Sequence, residues 1–174
     1  GTTNFKKNDL INFLEKTGVR FGADLNAYTS FDETVYMLQL PTDKEGLVDK
    51  GLLVMSDWAT GIAFEGEEID KERGVIESEW RTGLGANERM RHVWWPKFFH
   101  NTRYAYRLPI GLMDIIQNAP HDLFRNFYKD WYRPNLQAII VVGDLDVDEI
   151  EQKIKDKFSG LKNPENPREK QLYE

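Results

Sequence analysis

Cysteine is absent from the 174 residues, which removes disulfides, thiolate metal sites and cysteine nucleophiles together. The same absence permits an oxidising compartment without specifying one, and an exported, periplasmic location is compatible with it. No apolar run reaches the length needed to cross a bilayer, and no signal peptide is visible. Blocks of like charge long enough to form an interaction tail are missing too. The 29 acidic against 23 basic side chains leave a net charge of −6, a balance that argues against nucleic acid or an anionic membrane surface as partner. No phosphate-cradling loop is present, because Gly83-Leu84-Gly85-Ala86 follows a helical pattern and not a strand. Serine lacks the elbow motif of a nucleophile. Histidine is scarce: His92, His100 and His121 read as surface or capping residues.

What is present suits a folded core. Apolar residues make up 40% and aromatics 13% of a chain long enough to bury them. Asp9–Lys16 has apolar residues at helical spacing, with Asn8 or Asp9 as cap and Gly18 beyond its end. Phe21–Ser30 and Glu33–Pro41 read as strands of a hairpin turning at Phe31-Asp32. Helical patterns follow at Lys44–Thr60, Glu67–Leu84, Asn87–Phe99, Leu112–Gln117 and His121–Trp131. Leu136–Val142, unbroken in its apolar character, reads as a buried strand, and Asp146–Phe158 as a last amphipathic helix. The order is not the βαβα alternation of a doubly wound sheet. It predicts an α+β fold, a mixed and mainly antiparallel sheet with helices packed on one face. Residues 1–161 would form the domain and 162–174, rich in Pro and Asn at first, a linker.

The chemistry-bearing stretch is Glu67–Leu84. Glu72 and Glu79 lie seven residues apart, nearly two helical turns, so both carboxylates project on almost one side. Ile69, Ile76 and Trp80 fall toward that side as well, which predicts an inward-looking stripe. Carboxylates on such a stripe need a partner, and a metal ion or ion pairs with Arg73, Arg81 or Arg89 would each supply one. The cluster Trp94, Trp95, Phe98 and Phe99 reads as core or domain interface and not as a ligand cage.

Taken in order, several motifs resemble the N-terminal catalytic domain of the insulinase/pitrilysin-like zinc peptidases, a family that includes the mitochondrial processing peptidases. Gly1-Thr2 looks like the end of the family's F-x-G-T segment. Gly22, Asn26, Ala27, Thr29, Thr34 and Tyr36 match its strand pair, and Glu72 and Glu79 match its E-x-x-x-x-x-x-E helix. Trp131–Asn135 and Gly143-Asp144 match W-Y-R-P-N and G-D. The resemblance runs from Gly1 to about Leu161 and implies the metallohydrolase fold of that family. It implies Glu79 as third zinc ligand, with Glu72 as a supporting carboxylate on the same helix. Asn26, Ala27 and Thr29 would lie on an edge strand to which an extended peptide adds by backbone pairing, although hairpin geometry alone would also account for Asn26 and Thr29.

The departure from the family pattern is its H-x-x-E-H motif, which none of the three histidines begins. The chain opens abruptly with GTTNFKK and has no Met before Met37, and it reads as a piece cut just after the zinc helix, with the first strand and that helix missing. On this reading zinc belongs to the intact parent, where it would polarise the scissile carbonyl and activate water, with the missing Glu as general base. The chain alone would bind no catalytic zinc and cleave nothing. The implied partners are a peptide or protein substrate and a further family domain or partner half, and exposed apolar surface should make the piece self-associate. The rival reading is a non-catalytic family member acting as partner subunit or peptide-binding scaffold. A chance E-x-x-x-x-x-x-E in an unrelated α+β domain is the third.

Overall fold

Turn-forming and capping residues set most element boundaries. A computed structural model of the chain describes residues 1–6, 9–20 and 22–171. Helix α1 is Asp9–Lys16, closed by a turn into Gly18 at a φ of 89°. Asn8, one of its expected caps, lies outside the described residues, as does Phe21. Strands Leu25–Thr29 (β1) and Thr34–Leu38 (β2) form a two-stranded antiparallel sheet. β1 begins later than expected because the backbone first turns, with Asp24 N–H donating to Arg20 O at 2.8 Å and the two side chains ion-paired. Helices Leu47–Thr60 (α2), Gly66–Gly83 (α3), Ala86–Phe98 (α4), Met113–Asn118 (α5), His121–Trp131 (α6) and Val147–Phe158 (α7) follow. Arg103–Tyr106 and Pro134–Leu136 are 3-10 turns. α4 continues through Pro96, which gives up one backbone hydrogen bond but does not end the helix. Asp146 caps α7, accepting from Glu149 N–H at 2.9 Å.

The chain divides into two compact units. The first comprises Gly1–Tyr28, Val35–Phe64 and Phe124–Arg168. Leu14 and Val54 are fully buried in it, alongside Val19, Leu47 and Leu52, and each such side chain contributes about 1.5–3 kcal/mol through removal from water. α2 packs along α7 there, with Lys153 paired to Asp49 at 2.8 Å. Asp57 is buried as well, and its carboxylate accepts from Thr2 Oγ1 at 2.6 Å, Asn4 N at 2.9 Å and Asn4 Nδ2 at 2.7 Å. Three donors offset the desolvation of that charge and pin residues 2–4 to α2. Residues 162–168 lie against this unit: Asn163 Oδ1 accepts from Asn135 N–H at 3.2 Å, and Arg168 sits over the Trp131 ring and pairs with Asp130.

The second unit comprises Thr29–Thr34, Glu65–Leu123 and the chain from Glu169. In it the hairpin tip inserts Phe31 between Trp95, stacked at 5.7 Å, and Tyr104, edge-on at 5.0 Å. Trp95 Nε1 donates to Tyr104 O at 2.8 Å. The aromatic cluster of α4 is therefore half core: Trp95 and Phe99 are half-buried, whereas Trp94 and Phe98 are exposed.

The antiparallel sheet and surrounding helices agree with the α+β expectation. The expected buried strand Leu136–Val142 is a correction. Leu136 ends a 3-10 turn and residues 137–142 belong to no regular element. Ile140 and Val142 are 85% and 91% exposed, against 38% at Ile139 and at Val141. That period of two is the pattern of an extended chain with one side partly covered. A strand exists only through a hydrogen-bonded neighbour, and the described residues offer this stretch none.

Candidate metal and peptide site

α3 begins at Gly66 and ends at Gly83, with Glu67 and Glu68 in its first turn and Arg81 in its last, a charge order that suits the helix dipole. Its half-buried positions are Ile69, Arg73, Ile76, Glu77 and Trp80 within the central turns. At about 100° per residue these five cluster within roughly 60° of the Arg73 direction, while Glu72 and Glu79 project about 100–120° to one side of it. Both carboxylates are exposed. This corrects the inward-looking stripe: the covered face centres on Arg73, and the glutamates flank it. Neither the Glu72 nor the Glu79 carboxylate has a hydrogen bond or ion pair among the described residues, and the bond from Thr82 Oγ1 at 3.0 Å reaches only the Glu79 backbone carbonyl. Arg73 pairs with Asp70 at 3.1 Å and Arg89 donates to Leu84 O at 3.0 Å, and neither these two nor Arg81 forms an ion pair with either glutamate among the described residues.

Sequence reasoning did not foresee the cluster on the other flank of α3. Arg73 donates through Nη1 to Ile116 O, through Nη2 to Ala119 O at 2.5 Å, and through Nε to Asp70. His121 Nε2 lies 2.8 Å from Asp70 Oδ1. The hydrogen bond from His121, then that from Arg73, holds the Asp70 carboxyl below the usual carboxylate range. The Asp70/Arg73 spacing of three residues was a readable helix pair, but its partners stand more than forty positions along the chain. His121, read as a surface or capping residue, opens α6 and makes this bond.

At the hairpin, β1 has one neighbour, so its other edge carries no ladder among the described residues. Asn26, Ala27 and Thr29 are all exposed on it. Asn26 Oδ1 accepts from the Ala27 amide at 2.8 Å, and its Nδ2 donates to Gly22 O at 3.3 Å. Both bonds are local to the entry of β1, and the second edge of the strand carries no ladder among the described residues. Asn26 and Ala27 belong to the first compact unit, and Thr29, Glu72 and Glu79 to the second.

A catalytic zinc needs three protein ligands and an open position. Among the described residues no group of three or more His, Asp or Glu side chains could hold a metal ion. The residues present do not by themselves fit a catalytic zinc. No helix of the described residues is long and apolar enough to cross a membrane.

The probable zinc protease PqqL of Escherichia coli is 43% identical over 161 residues, 92% of this chain and 17% of its own length. The crystal structure of the first half of the periplasmic protease PqqL from Escherichia coli superposes with a TM-score of 0.91 at 40% identity, covering 98% of this chain and 36% of that one. A ferredoxin protease, FusC, solved in complex with Arabidopsis ferredoxin, superposes with a TM-score of 0.89 at 28% identity over 100% of this chain and 19% of its own. The chain thus spans well under half the length of these relatives. Residues 118–173 match the model of the peptidase M16 inactive domain, and residues 1–108 match that of insulinase, peptidase family M16. With its helices and small antiparallel sheet, the chain belongs to the insulinase family of peptidases.

Proposed function

We propose that this chain is part of a zinc-dependent endopeptidase that hydrolyses peptide bonds in peptide or protein substrates. The observation that carries the reading is that Glu72 and Glu79 project from one side of α3, two turns apart, with no cation neutralising either among the described residues. Glu79 contributes one ligand to the metal, and Glu72 supports the site from the same helix face. The remaining ligands come from residues beyond these 174, and the chain alone cleaves nothing. The open edge of β1 at Asn26, Ala27 and Thr29 accepts an extended substrate through backbone hydrogen bonds, which makes sequence selectivity loose. The ferredoxin bound to FusC supports a protein substrate, the periplasmic description of PqqL supports an exported location, and the greater length of both supports a further family domain.

A second reading is a non-catalytic partner half that binds peptide without metal. The match of residues 118–173 to the inactive-domain model favours it. Metal analysis of the full-length protein separates the two. The peptidase reading expects about one zinc per chain, lost on Glu79→Gln, with Glu72→Gln weakening zinc retention about tenfold or more. A full-length protein that purifies without zinc, or whose zinc is indifferent to Glu79→Gln, overturns it.

A further inference from the structure

α4 is covered on one side only. Glu88, Arg91, Trp95 and Pro96 are half-buried, with Phe99 just past the end, and the other residues of the helix are exposed. The bare side carries two neighbouring rows at a spacing of four, Met90–Trp94–Phe98 and Arg89–Val93–Lys97. Met90 is 57%, Val93 62%, Trp94 46% and Phe98 75% exposed. The two bare rings are nonetheless held. Trp94 and Phe98 meet edge to face at 6.0 Å, and they back onto Trp95 at 5.4 Å and Phe99 at 5.0 Å. Aromatic and methionine side chains so fixed are the anchors of protein interfaces, because little rotamer freedom is left to lose on binding. The second row is basic at both ends. Lys97 has no ion pair among the described residues, and the Arg89 side chain donates to the Leu84 carbonyl. The one acid of α4, Glu88, is turned to the covered side and accepts from Arg91 Nη2 at 2.7 Å.

Resting on the reading above that the full-length protein carries a further family domain, we propose that the bare face of α4 docks that domain. What it receives is a helix whose apolar side is flanked by acidic residues. The furrow between two rows at a spacing of four is what the ridge of a second helix fills. Arg89 and Lys97 stand about 12 Å apart along the axis, which sets the spacing of the acids that meet them. A second copy of the chain fits poorly. The four apolar side chains leave roughly 400–500 Å² bare. A symmetric dimer closed on them would bury about 800–1,000 Å², short of the smallest standard interfaces at about 1,200 Å². It would also set Arg89 and Lys97 against the same residues of the other copy. Contacts between domains of one chain run from about 600 Å² and are more polar, because the connecting chain already holds the partners close. Relatives of this fold have the chain to supply such a helix, since these residues cover only 36% of the first half of PqqL. A net charge of −6 opposes the other apolar partner, an anionic lipid surface.

The test is hydroxyl-radical footprinting of the full-length protein, read residue by residue by mass spectrometry. Oxidation of Met90, Trp94 and Phe98 should be about tenfold slower or more in the native protein than in urea, at every concentration across a hundredfold range. The exposures above would by themselves slow it only about twofold, and that result overturns the inference. Protection that fades on dilution assigns the face to a second copy, and protection that needs added vesicles of anionic lipid assigns it to a membrane. Either outcome overturns the inference as well. A water-soluble carbodiimide, which joins an amine to a carboxylate in contact, should link Lys97 to an Asp or Glu outside these 174 residues. Lys97→Glu should abolish the link and raise oxidation at Trp94 about threefold or more by placing like charges together. A Lys97 link only to acids of these 174 residues, or unchanged oxidation in Lys97→Glu, overturns the acidic partner. If the full-length protein proves no longer than these 174 residues, the further domain and this contact fall together. If it is longer and α4 is bare, only the contact falls, and zinc content decides the peptidase reading independently of both.

Discussion

Arg133 and Tyr128 are both buried polar residues in the first compact unit, and they should behave oppositely under substitution. Arg133 is 4% exposed and donates through Nη2 to Arg168 O at 2.6 Å, while its Nε and Nη1 find no partner among the described residues. A buried charge so incompletely satisfied adds little net stability, and Arg133→Met should be neutral or stabilising within about 1 kcal/mol. Urea titration of this chain checks it, and a loss of several kcal/mol would show that Arg133 has counter-charges unaccounted for. Tyr128 is satisfied on both counts, its hydroxyl donating to Trp58 O at 2.8 Å and accepting from Ile62 N–H at 3.3 Å. Tyr128→Phe strands both backbone groups and should cost about 1–3 kcal/mol in the same titration.

At the scale of elements, the tyrosines joining β2, α2 and α6 in the first unit predict an alkaline limit. Tyr36 bonds Tyr132 hydroxyl to hydroxyl at 3.1 Å and lies over Trp58 at 5.5 Å, and Tyr128 packs on Tyr132 at 4.5 Å. Burial first, then the bond to Tyr132, raises the Tyr36 phenol, and burial pushes Tyr128 up to about 12. A phenol in the unfolded chain ionises near pH 10. Unfolding therefore releases protons above that pH, so this stabilisation is complete below about pH 10 and is lost as pH rises through about 12. Urea midpoints measured from pH 9 to 12 should fall, and those of Tyr128→Phe, starting lower, should fall less steeply. Parallel slopes would exclude a Tyr128 contribution.

The same scale shows what could be read in advance. Helices α2, α3, α6 and α7 were legible to within a few residues because Gly61, Gly83 and Pro120 mark where helical patterns begin and stop, although the start of α2 was set three residues early at Lys44. The pairing of Glu72 with Glu79 was legible from spacing alone. The direction in which they point was not, because periodicity ranks Ile69 and Ile76 as covered and is silent on Arg73, whose carbonyl partners are distant in sequence. Leu136–Val142 misled for the opposite reason. Its composition is that of a buried strand, but composition does not supply the neighbour that makes one.

At the scale of the whole molecule, the residues from Ala138 to Val142 form an uncharged window of high β propensity, bare on the Ile140/Val142 side. With a net charge of only −6 to oppose contact, the chain should self-associate through this window. Sedimentation across a hundredfold range of concentration should show a rising average mass, reduced by Ile140→Lys. A monomer throughout would sink the idea. The open backbone of residues 138–142 has one more outcome. A digestive protease binds its substrate as an extended strand, so in dilute solution mild digestion should nick this window ahead of any helix. As concentration rises, each copy covers the window of another, and cleavage there should slow. A chain from a family of peptidases would then be guarded from proteolysis by its own abundance.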